Sequence, residues 1–390
     1  MLFHIPPLDE QEADVCARVD ELRLALRGQV SEQRRWTGLL RRVASARAIQ
    51  GSNSIEGLNV SLDDAVAAVG GGEPLDAPED VWAAIQGYRE AMTFVLQLAD
   101  DPHFEYDASL IRSLHYMMMQ YDFGLRPGRW RSGPVYVRDE RSGDIVYEGP
   151  DAFEVPGLME ELVVELREQD PAVPAVIRGA MAHLNLVMIH PFRDGNGRMA
   201  RGLQALVLAR EGRLEPAFVS IEEYLGRNTD AYYSVLAEVG GGGWQPQRDA
   251  RPWVRFVLTA HYRQAWTLLR RAAEGERRSE VLERELSRRR LPERCFGALW
   301  DAAQGFRVRN ATYRDFAEIS IVVAGRDLKA LSDSGLLVAQ GQARGRYYVA
   351  SEALKALEES IRRDRTPIPD PFEEDLRQQE LPLGNRNRAG

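Results

Sequence analysis

His190-Pro191-Phe192-Arg193-Asp194-Gly195-Asn196-Gly197-Arg198-Met199-Ala200-Arg201 puts a titratable base, a carboxylate, small loop residues and two arginines into one short segment. The apolar run Leu184–Ile189 before it reads as the end of a buried helix, and Met199, Leu203, Leu206 and Val207 recur at helical spacing after it. Pro191 disfavours helix at His190, so the segment is a tight loop between two helices, the second starting near Arg198. Gly195 and Gly197 allow positive φ and expose backbone N–H groups at the positive end of that second helix, an anion cradle. Arg198 and Arg201, nearly one turn apart, share a face and offer two guanidinium forks to a phosphate tail. Asp194 is a hard oxygen ligand of the kind Mg2+ uses together with substrate phosphates. A calcium-loop reading fails, because the alternating acidic ligands and the closing Glu are missing.

The segment resembles the signature of the Fic family, His-Pro-Phe-x-Asp/Glu-Gly-Asn-Gly-Arg-x-x-Arg, and matches it at every defined position. The resemblance extends over about Val81 to Ala273 and implies a helical bundle with a β-hairpin flap. It also implies a protein adenylyltransferase that moves AMP from Mg-ATP to a Ser, Thr or Tyr hydroxyl of a target protein or of itself. By that likeness His190 is the base and Asp194 holds Mg2+. Gly195, Asn196, Gly197, Arg198 and Arg201 hold the phosphates, with Asn196 on the α-phosphate. Asn228, Tyr232 and Tyr233 line the nucleoside pocket. Pro127-Gly128 leads into the hairpin at 131–149, which resembles the family's flap and would hold a target peptide as an added strand.

Upstream, Ser52-Asn53-Ser54-Ile55-Glu56-Gly57 fits Ser/Thr-x-x-x-Glu-Gly/Asn, which resembles the inhibitory motif of Fic proteins regulated in cis. A carboxylate brought to the phosphate site would pair with an arginine there, Arg201 by the family likeness, and occupy the space of a γ-phosphate. Ser52 and Glu56 are thus the candidate inhibitory residues. The same constellation could instead remove AMP from a modified protein, with Glu56 orienting the attacking water. A degenerate scaffold does not fit, since no catalytic position is replaced.

Around this centre, 390 residues leave room for two or three domains. A net charge of −9 argues against wholesale binding of nucleic acid or acidic membranes. The basic residues are almost all Arg, Lys occurring only at Lys329 and Lys355. Cys16 and Cys295 show no metal-ligand spacing and, with no signal-peptide pattern in Met1–Pro7 and no membrane-length apolar run, suggest a cytoplasmic protein without a membrane partner.

The expected fold is mainly α. Residues 1–75 read as a helical region carrying the inhibitory motif, and 76–273 as the catalytic core. A solvated linker helix follows at 274–285, then a small winged helix-turn-helix at 286–360 and a disordered tail at 361–390. The winged unit offers Arg326, Lys329, Arg344 and Arg346 to DNA phosphates. Asp315, Glu318, Asp327 and Asp333 lie among them and favour a protein partner or target-selecting role. A DNA-binding regulator with accessory Fic activity is the alternative of another class. Oligomerisation is compatible with the sequence and not specified by it.

Overall fold

The computed structural model describes residues 1–373 except 33, 139–142, 169, 211, 213–215, 343, 344 and 364. Three helices open the chain, α1 (Glu10–Val30), α2 (Thr37–Ile55) and α3 (Leu62–Val69). α1 starts on a capping box in which Asp9 and Glu12 exchange side-chain-to-backbone hydrogen bonds. The middle of the chain holds α4 (Glu79–Leu98), α5 (Ala108–Met119), the hairpin β1 (Tyr136–Arg138) and β2 (Ile145–Glu148), α6 (Val155–Arg167), α7 (Ala175–Ile189) and α8 (Asn196–Arg210). After α9 (Pro216–Val219), α10 (Glu222–Arg227) and α11 (Thr229–Gly240) comes α12 (Arg251–Arg288). The C-terminal unit contains α13 (Phe296–Ala303), β3 (Val308–Arg309), α14 (Asn310–Ala317), α15 (Ile321–Asp333), β4 (Leu337–Gln340), β5 (Tyr347–Ala350) and α16 (Glu352–Arg362).

The expected mainly helical architecture with small sheets is observed. The hairpin strands pair antiparallel with Tyr136 opposite Glu148, and the register shifts between Val137 and Arg138. Its tip, 139–142, lies outside the described residues. In the C-terminal unit β5 lies between β3 and β4, antiparallel to both. No helix among the described residues is long and apolar enough to cross a membrane.

Two expectations need correction. The expected linker helix at 274–285 is not separate from the core but part of one 38-residue helix, α12, which starts at Arg251 and is about 57 Å long at 1.5 Å per residue. Its second half is charged yet carries buried positions, since Arg278 forms a bidentate pair with Glu358 at 2.7 and 2.6 Å. Glu274 is paired in the same way by Arg365. Beyond α16, the described part of the expected disordered tail packs along α12. Arg270 donates to the Thr366 carbonyl, Arg263 pairs with Asp370, and Ile368 and Phe372 rest on the main core. Residues 374–390 lie outside the described residues.

Burial of α12 makes it the spine shared by both halves. One face packs on α1 and α7 through Trp253, Val257 and Leu258, and its distal half packs on Trp36 and Trp300, whose rings stack at 6.4 Å. A second core cluster joins α4, α5, α6, α7 and α8. The C-terminal unit also touches the N-terminal helices directly. Arg42 of α2 pairs with Asp301, and Arg307 pairs with Asp63 and Asp76.

α2 and α10 approach until backbone meets backbone. A Cβ on Gly226 would lie 2.6 Å from the Gly51 Cα, and one on Gly51 would collide with the Glu222 carbonyl. Overpacking of this kind costs about 1–3 kcal/mol, so Gly51→Ala is expected to lower the denaturant midpoint accordingly. Gly28→Ala, on α1 with nothing within 4 Å of its Cβ, serves as the control and is expected to leave stability unchanged or raise it by up to about 1 kcal/mol. Equal midpoints for the two variants would refute the contact.

Candidate active site

α7 ends at Ile189 and is capped by His190, which adopts φ 51 and ψ 58, the left-handed conformation that reverses the chain before Pro191. A non-glycine residue held there is uncommon, and the surrounding bonds fix it. The Arg131 Nε donates to the His190 carbonyl at 2.8 Å, and the Arg131 N–H donates to the Pro191 carbonyl at 2.8 Å. The His190 ring sits half-buried with Nδ1 3.1 Å from the Val187 carbonyl. A carbonyl only accepts, so Nδ1 carries the hydrogen and Nε2 keeps its lone pair. Burial lowers the His190 pKa from its ordinary value, which keeps the ring neutral near pH 7. Glu56 and Asp194 bear on it electrostatically in the opposite sense.

The loop then turns through Gly195, at φ 74, and α8 begins at Asn196. Gly195 is required twice over, since a Cβ would also lie 2.6 Å from the Met119 sulfur. Gly197 lies inside α8 and does not take the positive φ that its sequence context suggested. Its lack of a side chain serves another purpose, because a Cβ there would collide with the Glu56 carboxylate. The first-turn N–H groups of α8 have no intrahelical acceptor and form the positive end of the helix. Asn196 is buried and its side chain is spent on the loop. Its Oδ1 accepts from the Phe192 N–H at 2.8 Å and its Nδ2 donates to the Phe192 carbonyl at 3.0 Å. The side chain therefore shapes the loop, and its amide is not free for the α-phosphate role expected of it.

Arg198 and Arg201 are both 2% exposed. Arg201 donates Nε to the Ser52 hydroxyl at 2.7 Å and Nη2 to the Ser52 carbonyl at 2.9 Å, and it pairs with the Glu56 Oε1 at 2.7 Å. Arg198 donates to the Tyr121 hydroxyl at 3.3 Å. Among the described residues, Arg198 Nε and Nη1 and Arg201 Nη1 have no hydrogen-bond partner. Buried donors left unpaired cost stability, and two guanidinium groups beside a helix N-terminus are suited to an oxyanion. Asp194 is exposed, and its Oδ1 accepts from the Gly195 N–H at 2.6 Å, leaving carboxylate lone pairs at the loop surface. A single carboxylate of this kind fits Mg2+ held jointly with phosphates.

The structure separates the three remaining candidates. Tyr233 is 44% exposed and its hydroxyl donates to the Ile55 carbonyl at 3.1 Å, next to Glu56. Asn228 is half-buried, with its amide on the Tyr224 carbonyl. Tyr232 is 1% exposed and packs against Trp253 and Phe256, so it lies in the core rather than on a pocket wall.

Other residues do work that the sequence did not advertise. Arg131, besides its bonds to His190 and Pro191, donates to the Gly133 and Pro150 carbonyls and so ties the hairpin base to the loop. Tyr147 of β2 donates to the Met188 carbonyl at 2.7 Å. His115 of α5 stacks flat on Phe192 at 3.6 Å, accepts from the Gly128 N–H and donates Nε2–H to the Asp194 carbonyl, both at 2.9 Å. Burial pushes its pKa down to about 4, so it stays neutral in this role. The only sequence signal for these residues was the lead-in at Pro127–Arg131.

A family profile described as the Fic/DOC family matches residues 105–208. Residues 105–208 are a Fic domain. The protein adenylyltransferase Fic of Nematostella vectensis is 30% identical over 213 residues, 53% of this chain and 44% of that protein. The protein adenylyltransferase fic-1 of Caenorhabditis elegans is 30% identical over 173 residues, 44% of this chain and 30% of its own. This chain thus spans less than half the length of these curated relatives. Among solved structures, a Fic family protein from Desulfovibrio desulfuricans G20 superposes with a TM-score of 0.56 at 22% identity, covering 89% of this chain and 98% of that one. Fic-1 of C. elegans superposes with a TM-score of 0.51 at 24% identity, covering 66% and 72%. These likenesses establish the shared fold.

The Arg201–Glu56 pair gives a test that needs no assay of activity. Breaking a buried ion pair from one side costs about 3–5 kcal/mol, and the two Ser52 contacts remaining on Arg201 should reduce this to about 1–3 kcal/mol for Glu56→Ala. Pyrophosphate at 100 times its dissociation constant should then return about 2.7 kcal/mol to the variant and much less to the wild type. Thermal melts would check both values, and identical anion stabilisation of the two proteins would show that Glu56 does not occupy the anion site.

Proposed function

We propose that this chain is a protein adenylyltransferase, moving AMP from Mg-ATP to a Ser, Thr or Tyr hydroxyl of a target protein or of itself, and that Glu56 holds it in an inhibited state. The observation that carries the reading is the buried Arg201, held by Ser52 and Glu56 from α2 at the mouth of a glycine-lined helix N-terminus. The Fic domain and the relatives named as adenylyltransferases support the reaction class.

In this reading the phosphates lie against the N–H groups of residues 195–197 and take up the unpaired donors of Arg198 and Arg201. Asp194 would hold Mg2+, which supplies charge neutralisation for the phosphates. Tyr233 and Asn228 border the nucleoside. The 131–149 hairpin presents the target, fixed at its base by Arg131 and Tyr147. His190 Nε2 takes the proton from the target hydroxyl as its oxygen bonds to the α-phosphorus. The bond from that phosphorus to the bridging oxygen breaks, and pyrophosphate leaves. Positioning and fixed charge carry most of the acceleration. Residues 1–75 supply the inhibitory helix, 76–273 the core, and 274–285 lead to a target-selecting winged unit at 286–360. In that unit Lys329 is already paired with Asp333, and Asp327 is paired with Arg294, which favours a protein over DNA as its partner.

Transfer from α-labelled ATP with Mg2+ is expected to be weak in wild type, strong in Glu56→Gly and absent in Glu56→Gly/His190→Ala, with intact mass reporting added AMP. Labelling that survives in the double variant would remove His190 as base. No labelling of any protein, together with release of AMP from a pre-modified target, would assign the reverse reaction.

Because the His190 pKa is lowered, the base stays unprotonated to more acid pH than a free imidazole. The kcat/KM of Glu56→Gly is therefore expected to fall with acidity at a midpoint below the ordinary value of 6.5. A midpoint above 6.5 would contradict the burial argument.

A further inference from the structure

Beneath the site runs a line of buried polar side chains that the proposed reaction does not use. Arg23 of α1 places Nη2 2.9 Å from the His261 Nδ1 on α12. The Gln204 Nε2 on α8 lies 3.2 Å from the His261 Nε2, and the Gln204 Oε1 lies 2.7 Å from the His183 Nδ1 on α7. The His183 Nε2 lies 2.9 Å from the Tyr232 hydroxyl on α11, and Tyr232 is close enough to Arg201 for the two to interact. All of these side chains are buried.

The hydrogen-bond inventory allows one arrangement. An arginine only donates, so the His261 Nδ1 accepts. Both imidazoles are neutral, since burial pushes His183 down to about 3 and His261 well below the ordinary range. The His261 hydrogen therefore sits on Nε2, where it would face the Gln204 Nε2, a second donor, so the amide must be turned end for end to bring its oxygen there. The amide nitrogen then donates to the His183 Nδ1, which leaves the His183 hydrogen on Nε2, directed at the Tyr232 oxygen. Every bond points from α1 toward the site. Without a cation at its origin the line could run the other way, with Tyr232 donating to His183 and a hydrogen on the Nδ1 of both histidines.

We infer that Arg23 is a positioning residue for the anion site: it sets the direction of this line, so that Tyr232 receives the last N–H and keeps its own O–H for the anion bound at Arg201. The inference rests on the reading of Arg201 as an anion ligand. It assigns Tyr232 a polar role despite its place in the core, and gives the N-terminal helix α1 a part in the site without contact with it.

The test uses the full chain labelled with 15N-histidine, whose six histidines are few enough to assign. Long-range proton–nitrogen spectra report which ring nitrogen carries the hydrogen. Wild type and Arg23→Lys, which also only donates, are expected to show Nε2–H at His183 and His261. Arg23→Met is expected to show Nδ1–H at both. In the Glu56→Ala background, pyrophosphate affinity should fall about tenfold with Arg23→Met, the scale of one hydrogen bond to a charged group, and recover with Arg23→Lys. Tyr232→Phe should cost the same, with no further loss when combined with Arg23→Met. Nδ1–H at either histidine in the wild type, or unchanged tautomers in Arg23→Met, would overturn the inference. The wild-type spectrum decides even if Arg23→Met does not fold. A protein that shows these tautomers and this affinity pattern but transfers no AMP keeps the line and loses the adenylyl-transfer reading.

Discussion

One buried guanidinium organises this molecule. Arg201 sits on α8 with almost no exposure, and its hydrogen bonds go to α2 and its cap, to the Ser52 hydroxyl and carbonyl and the Glu56 carboxylate. A charge so placed is strongly destabilising when unpaired, so the position of α2 and the state of the anion cradle are energetically linked. Other features serve that link. Gly197 leaves room for the Glu56 carboxylate, Tyr233 caps the Ile55 carbonyl, and the glycine contact between α2 and α10 fixes the height of the helix.

Legibility in the sequence followed the distance over which each argument acts. The segment 190–201 was readable because base, glycines and arginines are contiguous, and the helix boundaries around it follow from Pro191 and the apolar periodicity. Glu56 was readable because its motif is local, although its pairing with Arg201 spans most of the N-terminal half of the chain. Arg131, Tyr147 and His115 were not readable as site-builders. Each acts by bonding a backbone group that tertiary folding brings to it, and no spacing rule encodes such a contact. Asn196 was assigned to ligand when its amide is occupied by Phe192, a loop geometry that residue type alone does not reveal.

The continuity of α12 shows the same limit at larger scale. A run as charged as 270–290 resembles a solvated linker until α16 and the segment after it supply Glu358 and Arg365 as partners. With those partners the helix packs against both α7 and the C-terminal unit. Asp301 reaches α2 from the same unit, so α2 is braced from both sides.

That bracing decides what can move. α2 cannot slide or tilt past α10 without opening a contact in which neither helix has side chains to spare, and its other end is held by Arg42. Glu56, by contrast, is the cap residue at the end of α2, followed by Gly57 at φ 75. If Glu56 inhibits as proposed, a competitor for Arg201 meets a gate one side chain wide, hung on a fixed post. The free-energy difference between closed and open then resides in a few local hydrogen bonds, small enough for a single substitution or a modest ligand preference to tip.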